Sequence, residues 1–172
     1  MSVPSKQTDE VISRWYHLIE GLNHSPKEFY AEIEKRVAGR DLPNASIGRV
    51  SFSEKGMFSS QREYLRIVRG DLAFDICGAP FGRDAFFVSY WLGRFQKAGC
   101  LSLLLVGIPG VGSAVDSHIR PMTYYEMDSA QMFQDTIHGI VLGHVGELIE
   151  TNGIEPIPEH LRKPTIKQLS GL

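Results

Sequence analysis

Residues 62–78 form two alternating segments on either side of Gly70 and Asp71, a pair suited to a two-residue turn, and this hairpin constrains the chain more than any other stretch. Counting outward from the turn sets Arg69 opposite Leu72, Ile67 opposite Phe74 and Leu65 opposite Ile76. One surface then carries Leu65, Ile67, Leu72, Phe74 and Ile76, an apolar set that needs a core to cover it. The opposite surface pairs Val68 with Ala73, Arg66 with Asp75 and Tyr64 with Cys77, which places one cross-strand ion pair in a small, partly apolar setting.

Segments at 46–54 and 85–92 are short, rich in β formers and bounded by turn residues, so they extend the hairpin into a meander. Phe86, Phe87, Val88, Tyr90, Trp91 and Leu92 are apolar or aromatic at nearly every position, which suits a strand covered on both sides or lying against a partner. Upstream, Val11, Ile12, Trp15, Tyr16, Ile19 and Leu22 recur at offsets near three and four, so residues 8–22 read as an amphipathic helix. A second helix starts at Ser25, with Pro26 in its first turn and Glu28 three residues after the cap; its inward face is Phe29, Tyr30, Ile33 and Val37. Gly39 and Pro43 stop it, after which the period shortens from helical to strand-like.

Downstream, residues 121–127 read as a strand, and Asp128 or Ser129 caps a long helix ending near Asn152 and Gly153. Gly139, Gly143 and Gly146 each cost that helix about 1 kcal/mol relative to alanine, which points to close approach of another backbone. Pro156, Pro158 and Pro164 make the tail an extended arm. The expected fold is α+β: an antiparallel meander of about five strands, two N-terminal helices and a long C-terminal helix packed on the sheet. It forms one domain over residues 1–172, divided into a helical start at 1–44, a sheet region at 45–127, a long helix at 128–153 and a tail at 154–172.

Inside the sheet region, residues 98–115 carry no charged side chain. As a helix this run is about 27 Å long, at the short limit for a bilayer core of about 30 Å. Gly99, Gly107, Pro109, Gly110 and Gly112 argue against a spanning helix, because lipid penalises any backbone group that loses its helical partner. The run reads instead as a buried strand from Leu101 to Val106 and a glycine turn, or as an apolar hairpin that dips into a partner or a membrane. The stretch from Leu103 to Ser113 resembles the apolar strand and glycine spacing of a Walker A phosphate loop. Ser113 and Ala114 stand where that loop needs lysine and then serine or threonine, so the charge that would neutralise phosphate is missing.

The remaining chemistry is sparse. Charges nearly balance, 18 basic against 20 acidic residues, so no overall field favours nucleic acid, and no phosphate track is visible. The histidines at 17, 24, 118, 138, 144 and 160 form no metal motif; His138 and His144 are about 240° apart around one helix, and Asp135 with His138 reads as a helix-surface pair. Cys77 and Cys100 behave as small buried hydrophobes without an adjacent base. Two distant cysteines and a start without a basic-then-apolar leader set the expectation of a cytoplasmic setting, with membrane association through 98–115 as a variant.

No cofactor is expected. The expected function is a non-enzymatic binding or assembly domain whose apolar surface comprises Phe87 and Trp91 of the 85–92 strand with Leu101, Leu103, Leu104, Leu105, Val106 and Ile108. Its partners are another copy of itself, another protein or a membrane surface. The alternative is a small-molecule site or enzyme with a pocket around Arg66, Asp75, Tyr64 and Tyr90, closed by the loop at 107–113.

Overall fold

The computed structural model describes residues 3–53, 61–95 and 121–166. Along the chain the elements are β1 (Glu10–Glu20), α1 (Pro26–Ala38), β2 (Ala45–Ser53), β3 (Gln61–Arg69), β4 (Leu72–Pro80), β5 (Ala85–Arg94), α2 (Tyr124–Thr151), a 3-10 turn (Glu159–Leu161) and β6 (Thr165–Ile166). The strands form one antiparallel sheet in the order β2-β3-β4-β5-β1-β6. The fold is therefore α+β, with six strands and two α-helices among the described residues.

The hairpin forms in the register counted from its turn: Leu65 faces Ile76, Arg66 faces Asp75, Ile67 faces Phe74, Val68 faces Ala73 and Arg69 faces Leu72. Gly70 takes φ 64°, the left-handed conformation the turn demands. Strands β2 and β5 flank it as the meander requires. Helix α1 starts where expected: the Ser25 side chain accepts the Glu28 N–H, Pro26 opens the first turn, and Phe29, Tyr30, Ile33 and Val37 are the buried face.

Residues 10–20, expected to be helical, are strand β1, paired along its length with β5. Trp15 and Ile19 face the core on the same side as Ser13 and His17, while Arg14, Tyr16, Leu18 and Glu20 face outward. Two polar residues on the inward face hide the period of two, and an irregularity between Val11 and Ser13 buries Ile12 and Ser13 side by side. The apolar residues thereby fall at helical offsets within a strand. Ser13 is buried because its hydroxyl meets Gln134 Oε1 on α2 at 2.5 Å.

Residues 121–127 are not a strand. Thr123, rather than Asp128 or Ser129, caps α2: its hydroxyl accepts the Glu126 N–H while the Glu126 carboxylate accepts the Thr123 N–H at 2.8 Å. This closed box outweighs the β preference of Tyr124 and Tyr125, whose side chains stay in solvent. α2 ends at Thr151, and the tail expected to be extended contains the 3-10 turn and β6.

Both helices cover the same sheet face. The core joins Trp15, Ile19, Phe29, Ile33, Leu65, Phe74, Phe86 and Leu92 to Phe133, Ile137, Val141 and Val145 of α2. No other backbone approaches Gly139, Gly143 or Gly146, which lie on the exposed side of α2; their expected close contact is not found among the described residues. Close approach occurs at Gly78, where a Cβ would lie 2.5 Å from Phe29 Cδ1 as α1 crosses β4.

Candidate interaction surface

The Arg66 and Asp75 pair forms on the sheet face away from the helices, and it is buried. Arg66 Nε and Nη2 each donate to one Asp75 carboxylate oxygen at 2.6 Å, and Nη1 donates to the Pro4 carbonyl at 2.5 Å and the Lys6 carbonyl at 2.6 Å. Residues 3–8 cross this face; Val3 rests on Gly48, where a Cβ would come within 2.7 Å of it, and Thr8 rests on Gly93. The guanidinium also lies 5.3 Å from the Phe52 ring centroid and 5.4 Å from that of Phe95. Its donors are thus spent on the protein's own groups, which suits a clamp better than a ligand contact. Tyr64 packs beside it against Phe52, at a cleft of about 240 Å³ that Asp75 and Trp91 also line.

Tyr90 lies on the opposite face. Register pairs it with Ile76 and sets Trp91 beside Asp75, so Tyr90 does not share a pocket with Arg66, Asp75 and Tyr64. Its ring packs 4.5 Å from Phe74 and 6.1 Å from Trp15, and its hydroxyl meets His138 Nδ1 at 2.9 Å. Burial drives the Tyr90 phenol far above the usual tyrosine range and lowers His138, with the Arg162 backbone and Asp135 opposing the latter shift. Both groups are held neutral, and the phenol hydrogen bonds to the imidazole as a bridge from β5 to α2. His138 is therefore tucked against Trp15 and Tyr90, not a helix-surface partner of Asp135.

A second histidine cluster escaped the sequence because its members lie far apart in the chain. His24, in the turn after β1, and His144 on α2 have ring centroids 6.2 Å apart, with Phe29 5.3 Å from His144. Both His144 nitrogens and His24 Nε2 are buried without a hydrogen-bond partner among the described residues. Burial, with the cationic Arg36 nearby, pushes His144 below the usual histidine value. Arg36 bridges the helices above it, bonding Glu32 on α1 at 2.9 Å and Glu147 on α2.

The remaining feature is the outer edge of β1. β6 pairs only with Ser13 and Arg14, so among the described residues no strand covers β1 from Trp15 to Glu20. Beside this edge the outward surface is apolar: Tyr16 is 61% exposed, Leu18 37% and Phe81 65%, and the Tyr16 ring lies 6.4 Å from Phe87. Phe87 and Trp91 both lie on this outer face, and the Arg14 guanidinium sits 5.7 Å from the Trp91 ring. A groove of about 650 Å³ runs along the edge, walled by Tyr16, Phe81 and Phe87 and bordered by His160, Leu161 and Lys163. Tyr16 and Leu18 were not singled out as surface residues because a helical reading of 8–22 offers no edge. Leu101, Leu103, Leu104, Leu105, Val106 and Ile108, together with the loop at 107–113, lie outside the described residues.

Among the described residues no group of three or more histidine, cysteine or carboxylate side chains is arranged to hold a metal. Cys77 is buried, and burial raises its thiol above the ordinary value, away from nucleophilic reactivity. No helix among the described residues is long and apolar enough to cross a membrane. No known protein family matches the chain, and no curated protein or solved structure is significantly similar to it.

Proposed function

We propose that this protein is a non-enzymatic assembly domain that joins a second copy of itself through the open edge of β1. The observation that carries the reading is the coincidence, along Tyr16 to Glu20, of a strand edge that no strand among the described residues covers with the exposed apolar side chains of Tyr16 and Leu18. An uncovered edge offers a row of unpaired backbone N–H and C=O groups, and folded proteins normally blunt such edges with proline, charge or a covering loop. Here Tyr16, His17, Leu18 and Ile19 contain neither charge nor proline, and Glu20 at the end of the strand is the charged residue of the edge. Strand addition satisfies the backbone groups and removes the apolar surface from water together.

Geometry favours one register. An antiparallel pair about a two-fold axis must set outward residues opposite outward residues. Centring on His17 would put Glu20 of the other copy opposite Arg14, a position that Thr165 of β6 occupies. Centring on Leu18 avoids β6, opposes Leu18 to its own copy and sets Tyr16 against Glu20. Light scattering across a concentration series tests this: the wild-type chain forms dimers, and Leu18→Lys, which opposes two like charges at the axis, is monomeric with unchanged circular dichroism. A wild-type chain that stays monomeric overturns assembly. A dimer indifferent to Leu18→Lys moves the interface elsewhere, and an oligomer dispersed only by mild detergent favours lipid docking.

A further inference from the structure

We infer that the groove beside β1 is a binding site for a flat apolar molecule carrying a single carboxylate. The site shares Tyr16 and Leu18 with the edge proposed for assembly but does not depend on association taking place. Its volume, about 650 Å³, falls within the usual range of about 300–1,000 Å³ for small-molecule sites. Its walls are aromatic: the Tyr16 and Phe87 rings lie 6.4 Å apart at an interplanar angle of 31°, and Phe81 is 65% exposed at the β4–β5 turn. Trp15 and His17, nearly parallel with centroids 6.4 Å apart, line it from the other side of the strand. Planar faces at these spacings suit a flat ring system, which buries apolar area with little conformational entropy to lose.

The groove's charge is one-sided. Lys163 and His160 border it, no carboxylate side chain lines it, and no acidic residue among the described residues pairs with Lys163. Glu20 and Glu159 belong to neighbouring positions outside the lining. A ligand that lays its ring against Phe81, Phe87 and Tyr16 meets Lys163 at its edge, so a negative group there gains an ion pair. Lys163 stands in solvent, and the gain is correspondingly modest, about fivefold in affinity. Such a ligand also covers Tyr16 and Leu18, and it therefore competes with a second copy for the edge.

Calorimetric titration of the full chain with 1-naphthoate and with its neutral counterpart 1-naphthalenemethanol tests the site. Naphthoate should bind about fivefold more tightly than the alcohol, and Lys163→Ala should abolish that preference without changing the circular dichroism. Phe81→Ala should weaken both ligands alike. Absence of binding by either compound, equal affinity of the two for the wild type, or a preference that survives Lys163→Ala overturns the inference. Light scattering on the same samples separates the two readings. A chain that is monomeric throughout yet prefers naphthoate retains the site and loses the assembly function; a dimer that ignores naphthoate does the reverse.

Discussion

Two buried polar sites on opposite faces of the sheet solve the same problem differently. On the outer face, Arg66 and Asp75 form a two-pronged ion pair, and the remaining guanidinium donors reach the Pro4 and Lys6 carbonyls. On the helix face, His24 and His144 meet at the join of α1 and α2 with three ring nitrogens unpaired. The first site tolerates full charge because all three guanidinium nitrogens and both carboxylate oxygens have partners. The second persists only while the His144 imidazole stays neutral, since burial penalises its charged form and neither of its nitrogens has a hydrogen-bond partner among the described residues. Burial alone thus says little about what a polar residue contributes; the count of satisfied groups decides it.

The largest effect belongs to the ion pair. Asp75→Ala leaves the Arg66 charge buried and uncompensated, and chemical denaturation should show a loss of about 3–5 kcal/mol. Replacing both partners, Arg66→Met with Asp75→Leu, removes the charges together and should recover most of that loss. A double variant as unstable as Asp75→Ala would show that anchoring residues 3–8, rather than charge compensation, is what Arg66 supplies.

The histidine site should respond next most strongly, and only to acid. Because folding lowers His144 from its ordinary value of 6.5, the unfolded chain takes up the proton first as pH falls. Stability is therefore full above about pH 6.5 and declines below it until the lower folded value is passed. Glu32 and Glu147 oppose this decline while Arg36 and His24 reinforce it. Burial also lowers His17 and His138, so they add to the same acid loss. His144→Leu should flatten the melting temperature between pH 7.5 and 5.5; a slope identical to wild type would place the acid sensitivity at the other histidines.

The smallest effect belongs to Tyr90, whose bridge to His138 is satisfied but uncharged. Tyr90→Phe keeps the packing on Phe74 and Trp15 and should cost about 1 kcal/mol. A loss as large as that of Asp75→Ala would mean that the two neutral groups are coupled far more strongly than a single hydrogen bond.

Much of the sheet was legible because hairpins are local. Arg66 and Asp75 are nine residues apart, the turn between them dictates the register, and their pairing follows by counting. Their burial did not follow, because residues 3–8 and the aromatic rings of Phe52 and Phe95 come from elsewhere in the chain. Tyr90 was grouped with them by sequence, although the pairing of β4 with β5 sends it to the other face. The T-x-x-E signature at Thr123 was present in the sequence and decisive in the structure, where it starts α2 inside the segment expected to be a strand. Tyr16 and Leu18 became visible as a surface only once β1 was seen to pair with β5 across more than sixty intervening residues.

By itself the sequence determined what short-range physics controls: the Gly70 and Asp71 turn, the alternation that makes one hairpin face apolar, and the Ser25 cap with its stripe of Phe29, Tyr30, Ile33 and Val37. Each depends on dihedral preferences and on neighbours a few residues away. Tertiary structure decided whether residues 10–20 became helix or strand, which polar groups found partners, and which edge was left open. Those outcomes depend on what packs against a segment, and an ambiguous apolar spacing such as that of β1 is resolved only when β5 supplies the hydrogen bonds and α2 covers the inward face.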